Sequence, residues 1–557
     1  MPERKSPTPP SAIFLLSIAV GLTLLKLWLV APFPLQAAGH ANHDDELFVR
    51  LAEFIRQGQW LGPYDQFTLA KGPMFSIFLA ATSAVGMSLL TAQLLFYQAA
   101  CLILVWSLRP LVVSRGWLIA LLLLLTINPA TLDQSIHNRI LRQNILPALT
   151  FLLLAWLIAW YARRERSLTR LWLWSVLGAI ALPAFWLTRE EGVWFIPALA
   201  IPGTFVLWKL IRQPAPQRRA RIALFLLPVA GGIIGVQTVA ALNQAYYGVR
   251  TTCEFNEPHF KDAFGALLRL KSDETIPFTP VTRHMREQIY AVSPTFAKLE
   301  PYFEGSPGVA WANVCSFATG HTPGDREIAI GWTMWALRGA VVEYGGVKTG
   351  AEASDFYRQM AAEINQAADD GRLDAGPQRS GFLPPLGPQH VRPWLKSWAE
   401  SAIFLISFDT LEVVPTYSSG SEEELRRFAA MSHDAISPTK EEATAPSALT
   451  FGWHGDVANG IIAAYQRVGT WAVSAAGLGL VILLARELWQ RKLRFLTCLA
   501  VGLVGSISAM LSIVALINAT SFPAINSGYF TACYGLLILF IWVVARAAST
   551  IRKPEAP

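Results

Sequence analysis

The chain has 557 residues, of which 53% are hydrophobic and 15% charged, with a formal charge of +7 and a mean hydropathy of +0.37. A soluble domain carries about 25% charged residues, so composition excludes an ordinary soluble enzyme. Nor does the positive charge mark a nucleic-acid binder, because much of it is gathered in short connections between apolar segments.

Apolar stretches approaching the roughly 20 residues needed to cross a bilayer fall at 12–31, 91–108, 117–130, 144–161, 171–187, 193–211, 222–246, 459–485, 495–517 and 528–545. They predict an all-α polytopic protein with about ten transmembrane helices. The apolar core of the first exceeds the 7–15 residues of a signal peptide, so it reads as a retained span. Spans are almost free of charge; Lys26 and Arg467 stand out, and both are placed near helix ends.

Lys and Arg placement sets the orientation. If the N-terminus is cytoplasmic, it and the connections SLRPLVVSRG, RRERSLTR, KLIRQPAPQRRAR and RELWQRKLR, with the tail RAASTIRKPEAP, hold 20 of the 46 Lys and Arg but 4 of the 39 Asp and Glu. Strict alternation then requires that GPMFSIFLAATSAVGMS not cross, and it reads as an interfacial helix in the first outer loop, 32–90. Both termini are then cytoplasmic.

That loop opens with NHDDELFVRLAEFIR. Leu47, Phe48, Leu51, Phe54 and Ile55 share one face of a helix over 43–57, with Asn42 as its N-cap. Asp44, Asp45 and Glu46 occupy the first turn, where the helix dipole favours negative charge and keeps a carboxylate ionised, as a general base must be. The apolar face is expected to rest on the bilayer, holding these acids at the water boundary. Lys71 follows, just before the interfacial segment, where a lysine can snorkel to a phosphate.

The first seven spans form a module over 1–247. Residues 248–455 form a polar block with 26 acids and 18 bases, read as a mainly helical outer domain. Within it EIAIGWTMWALRGAVVEYG, the stretch from Gly350 to Gly371, and SEEELRRFAAMSH read as helices. Cys253 and Cys315 both fall in this block, and whether they are bridged stays open. Three helices, 456–557, close the chain.

An acid pair in the first outer loop, then Gly58-x-Trp60, then Lys71-Gly72-Pro73, resembles the GT-C superfamily of integral membrane glycosyltransferases, and within it the aminoarabinose transferases and protein O-mannosyltransferases. The resemblance covers mainly residues 10–250. It implies a polyprenyl-phosphate sugar donor, inversion at the anomeric centre and a base at Asp44 or Asp45. Spacing to Gly58 and Trp60 favours Asp44, whereas Asp45-Glu46 matches the family's Asp-Glu literally. A second family acid corresponds to Asp133 in TLDQSIHNRILRQN, with Gln134 in place of the family's proline. His137, Arg139 and Arg142 in the same outer loop join Lys71 as candidates to bind the donor phosphate. Glu46, Tyr64, Arg189 and Glu190 are placed on the cleft wall.

These residues imply an inverting glycosyltransferase, with a polyprenyl-phosphate-linked sugar as donor, membrane lipids as surroundings and a glycan, lipid or protein as acceptor. The enzyme would sit in a bacterial inner or plasma membrane, with its active site on the periplasmic, outer face. No metal-ligand spacing is present and no cofactor is required, although a divalent metal is compatible with the chemistry. P-loop and Rossmann glycine patterns are missing, consistent with a lipid donor. Two other readings are a transporter or lipid flippase, which would place charges within spans, and a polymerase or ligase of lipid-diphosphate glycans, which would rely on basic loops without the acid cluster.

Overall fold

The computed structural model describes residues 12–212, 217–272, 274, 276–443 and 451–550; the expected cytoplasmic termini lie largely outside them. In chain order the helices are α1 (Ala12–Val30), α2 (Asp45–Arg56), α3 (Met74–Ala84), α4 (Leu89–Leu108), α5 (Arg115–Thr126), α6 (Gln134–His137), α7 (Leu146–Arg163), α8 (Leu168–Thr188), α9 (Ile196–Arg212) and α10 (Arg218–Tyr247). Then come α11 (Pro258–Leu268), α12 (Arg283–Val292), α13 (Pro294–Ala297), α14 (Glu300–Phe303), α15 (Ser306–Thr319), α16 (Ile330–Tyr344) and α17 (Gly350–Asp369). Last are α18 (Val391–Ile406), α19 (Glu422–Ser432), α20 (Gly452–Trp489), α21 (Phe495–Thr520) and α22 (Ser527–Ser549). Among the described residues nine helices, namely α1, α4, α7–α10 and α20–α22, are long and apolar enough to cross a membrane. The protein is an all-α integral membrane protein.

The tenth expected span, 117–130, is instead the 12-residue helix α5, about 18 Å long at 1.5 Å per residue and short of a 30 Å hydrocarbon core. It stops halfway up α4, where Tyr97 donates to the Leu125 carbonyl (2.8 Å) and Thr126 to Gln98 (3.0 Å). Backbone groups freed inside a membrane must find partners, and Lys26 supplies one. Its ammonium donates to the Thr126 carbonyl at 2.7 Å and to the Thr131 hydroxyl, and it is buried. Lys26, four residues before the end of α1, lies near a helix end as expected and also seals a broken helix, whereas Arg467 is exposed near the middle of α20.

Helix α3 has 11 residues, too short to span, as expected. The apolar face of α2 departs from expectation. Leu47, Phe48 and Leu51 are buried, with Phe48 edge-on to Phe75 of α3 at 5.0 Å. Protein, not lipid, covers this helix, because α3 and α19 pack on it.

The polar block divides in two. Residues 253–373 enclose a core of their own, around Phe260, Leu337 and Tyr357. Residues from 391 to 431 share the core of the membrane helices through Leu405, Phe408 and Phe428. Helix α18 lies against α21, with Trp394 donating to the Ser512 carbonyl (3.2 Å) and Asn518 to Ser397 (2.9 Å). Ser421 and Glu424 form a capping box that starts α19, and Gly371 closes the α17 segment at φ +75°. Cys253 and Cys315 are both buried free thiols.

One buried ion pair ties the first unit to the first loop. Arg338 of α16 meets Glu254 at 2.8 Å, with exposures of 1% and 4%. The same guanidinium donates to the carbonyls of Asp65 (3.1 Å), Gln66 and Thr68, and Tyr64 donates to Glu254 at 3.0 Å. Removing one partner of such a pair costs about 3–5 kcal/mol. Arg338→Met is therefore expected to expose the 60–70 loop to limited proteolysis and lower the thermal midpoint in detergent, with Glu254→Gln doing so less.

Candidate active site

The site is built where the first loop, the α5–α7 connection and the α8–α9 turn converge. Helix α2 begins one residue later than its carboxylate run. Asp44, not Asn42, is the N-cap residue, with φ −124°, ψ −96° and no side-chain capping bond. A capping role would spend this carboxylate on backbone N–H groups. Instead it turns to Lys71, whose ammonium donates both to Asp44 and to the His43 carbonyl.

Lys71 is buried, its ammonium 5.1 Å from the Phe48 ring and 5.5 Å from that of Trp335. Burial lowers its pKa, opposed by Asp44. Asp44 keeps 57% of its side chain open to water. Crowding by the surrounding protein partly desolvates that carboxyl and pushes it up, but Lys71, Arg139 and Arg142 outweigh this and hold it at about 2. The result is an exposed, ionised carboxylate flanked by fixed cations.

Asp45, next in sequence, is fully buried. Arg139 grips both oxygens, at 2.5 Å and 3.2 Å, and the Ile140 N–H donates at 3.2 Å. Burial lifts this carboxyl to about 6 against those contacts. With no face open to a substrate, Asp45 anchors the α6–α7 connection to α2. Glu46 pairs with Arg427 of α19 at 2.6 Å, which clamps the other side of the same helix turn.

Glu190 joins the third element. It accepts from Arg142 (2.6 Å) and from the Gly72 N–H (2.5 Å). A Cβ on Gly72 would lie 2.2 Å from the Leu187 carbonyl, so only glycine lets the Lys71 turn dock on the end of α8. Glu191 reaches Arg189 (3.4 Å) and Arg142 (3.9 Å), and Arg189 lies 5.5 Å from the Tyr529 ring.

Asp44, Asp45, Lys71, Arg139, Arg142, Arg189 and Glu190 are thus brought together; Glu46 turns away to Arg427, and three more expected residues lie apart. Asp133 caps α6, accepting from the Ser135 N–H (3.1 Å) and hydroxyl (2.8 Å) and from Ser527 (3.2 Å). His137 lies toward Lys26; burial and that charge lower its pKa to about 3, leaving a neutral ring instead of a phosphate cation. Tyr64 belongs to the Arg338–Glu254 joint. Conversely, sequence reasoning missed His43, Trp311 and Trp335. The His43 ring stacks on Trp311 at 5.2 Å and meets Trp335 at 4.8 Å, and its buried Nδ1 has no partner. No local pattern pointed to these tryptophans, which arrive from the 253–373 unit.

Every expected phosphate cation in the cluster already has a carboxylate partner: Lys71 with Asp44, Arg139 with Asp45, Arg142 with Glu190. An incoming anion would therefore exchange with a carboxylate rather than fill an empty cationic hole. Among the described residues, no group of three or more His, Cys, Asp or Glu side chains is arranged to hold a metal ion.

No sequence profile of a known family and no curated protein matches the chain. Among solved structures it is similar to an oligosaccharyltransferase from Archaeoglobus fulgidus tethered to an acceptor peptide, at TM-score 0.39 and 13% identity over 95% of this chain. The chain spans about half, 49%, of that protein's length. It is also similar to ArnT from Cupriavidus metallidurans in the apo state, at TM-score 0.31 and 14% identity over 98% of this chain and 81% of that one. The same protein bound to undecaprenyl phosphate gives TM-score 0.30 and 14% identity, over 98% and 82% of the two chains. Similarity this loose assigns no residue.

Burial raises the Asp133 carboxyl to about 6 against its hydroxyl and N–H donors. The folded state then binds its proton more tightly than the unfolded chain, so stability falls as pH rises from about 4 through about 6. Asn can keep the cap. Asp133→Asn is therefore expected to leave the thermal midpoint unchanged near pH 4 and to raise stability near pH 7.5, by up to about 3 kcal/mol at 1.36 kcal/mol per pKa unit.

Proposed function

We propose that the protein is an inverting glycosyltransferase that moves a sugar from a polyprenyl-phosphate donor to an acceptor hydroxyl at the membrane surface. The observation that carries this reading is the Asp44 carboxylate, ionised and open to water, held beside Lys71 and Arg142 at the end of a membrane helix bundle.

The donor phosphate takes Lys71 from Asp44, with Arg142 next to it. That exchange does two things. It places positive charge where the leaving oxygen gains its electron pair, a preorganised electrostatic role. It also removes the strongest pull on Asp44, raising the proton affinity of a carboxylate too acidic to act as a base while the lysine sits on it. The acceptor oxygen then attacks the anomeric carbon from the face opposite the phosphate. The bond from that carbon to the phosphate oxygen breaks, the acceptor proton passes to Asp44, and the polyprenyl phosphate departs with the bonding pair. This is the division of labour of an inverting hydrolase, with a hydroxyl in place of water. Asp45 and Arg139 fix the position of the base, and Glu190 and Gly72 fix that of the lysine.

Purified protein given a radiolabelled polyprenyl-phosphate sugar and a membrane extract as acceptor source is expected to transfer label. Asp44→Asn should lower the rate by roughly 10²–10⁴-fold, the usual worth of a positioned base. Lys71→Met should lower it as well, with a raised donor KM. Asp45→Asn should lose activity together with thermal stability, as a positional residue would. Full transfer by Asp44→Asn would overturn the assignment.

A further inference from the structure

At the end of the bundle opposite the candidate active site, the α7–α8 connection and the end of α4 border an open cavity of about 380 Å³, lined by Arg163, Arg166, Thr169, Arg170, Leu173 and Trp174. Arg163 forms its fixed wall. It donates to the carbonyls of Ser107 (2.9 Å) and Trp106 (3.0 Å), and its guanidinium lies 5.0 Å from the Trp174 ring. These partners are carbonyls and an aromatic face, so no carboxylate compensates the charge. Arg166 and Arg170 are exposed, and neither makes an ion pair or a side-chain hydrogen bond among the described residues. The nearest acid in sequence, Glu165, pairs with Arg164 at 3.2 Å.

Three guanidinium groups sharing one cavity repel one another, and an anion between them relieves that cost. A general bias of Lys and Arg toward one end of a membrane bundle accounts for their number, not for a shared concavity. The open N-terminal turn of α8 adds its dipole to the same spot.

Position selects the kind of anion. The cavity lies where α4 and α7 end and α8 begins, at the boundary of the apolar core. Leu173, on its wall, is 67% exposed, and the neighbouring Trp172 is 50% exposed. Exposed apolar side chains beside the arginines give the cavity a rim suited to an acyl chain as well as to water. We propose that this cavity is a binding site for the headgroup of an anionic phospholipid: the phosphate sits between Arg163, Arg166 and Arg170, and an acyl chain runs down past Leu173. Basic pockets between membrane helices take such headgroups.

The test is native mass spectrometry on the delipidated full-length protein in detergent, offered phosphatidylglycerol or phosphatidylcholine at equal concentration. Preferential retention of phosphatidylglycerol is expected. Arg166→Gln with Arg170→Gln, both exposed and neutral to folding, should weaken it roughly thirtyfold at about 1 kcal/mol per basic residue, while the double lysine replacement keeps the preference. Inorganic phosphate at the same concentration should not displace the lipid. Equal retention of the two lipids, an unchanged double glutamine variant, or displacement by inorganic phosphate alone would each overturn the proposal.

Discussion

An ammonium taken out of water at the edge of a membrane bundle must have an anion and further acceptors around it, because desolvating it costs several kcal/mol. Lys71 meets that requirement with Asp44, the His43 carbonyl and the faces of Phe48 and Trp335. The partners come from two distant pieces of the chain, residues 43–48 and Trp335. The start of α2, the turn before α3 and the 253–373 unit are thereby held at one point, and Gly72 brings in the end of α8 through Glu190.

Around that point charges alternate in sign. Asp44, Lys71, Arg142, Glu190, Asp45 and Arg139 form a set in which each cation has a carboxylate and only Asp44 is widely open to solvent. In such a set the three cations and three carboxylates balance, and a phosphate would compete for the guanidinium and ammonium groups with the same geometry a carboxylate uses. The contrast between Asp44 and Asp45 shows how environment divides two adjacent carboxylates. One is wetted and ionised, the other dry and locked by a bidentate arginine.

The polar block after α10 serves the site through two separate parts. Residues 253–373 carry Arg338, which grips the backbone of the first loop, and Trp311 and Trp335, which flank His43. The 391–442 segment belongs to the membrane bundle in its packing and sends Arg427 onto Glu46 and, at 3.7 Å, Glu53. Helix α2 is therefore clamped from both sides, which is why its apolar face meets protein where amphipathicity alone placed it on lipid.

Periodicity and local chemistry were legible in the chain before folding. Nine of the ten expected spans, the helix that starts at Glu422, the helix over Gly350–Asp369, the short α3 and the carboxylate run at 44–46 all follow from contacts within a few residues, and the structure has them. The partner of each charge was not legible. Lys71 finds Asp44 across 27 residues, Arg139 finds Asp45 across 94 and Arg427 finds Glu46 across 381. Asp133 was placed as a second acid by the family resemblance; in the structure it caps α6, accepting from Ser135 and Ser527. The amino-acid order by itself determined nine of the apolar helices long enough to cross a membrane and where acids gather, because burial of apolar side chains and helix-end electrostatics act locally. Tertiary structure alone decided which carboxylate stays in water and which cation it faces, because that depends on which surfaces are dried when distant segments meet.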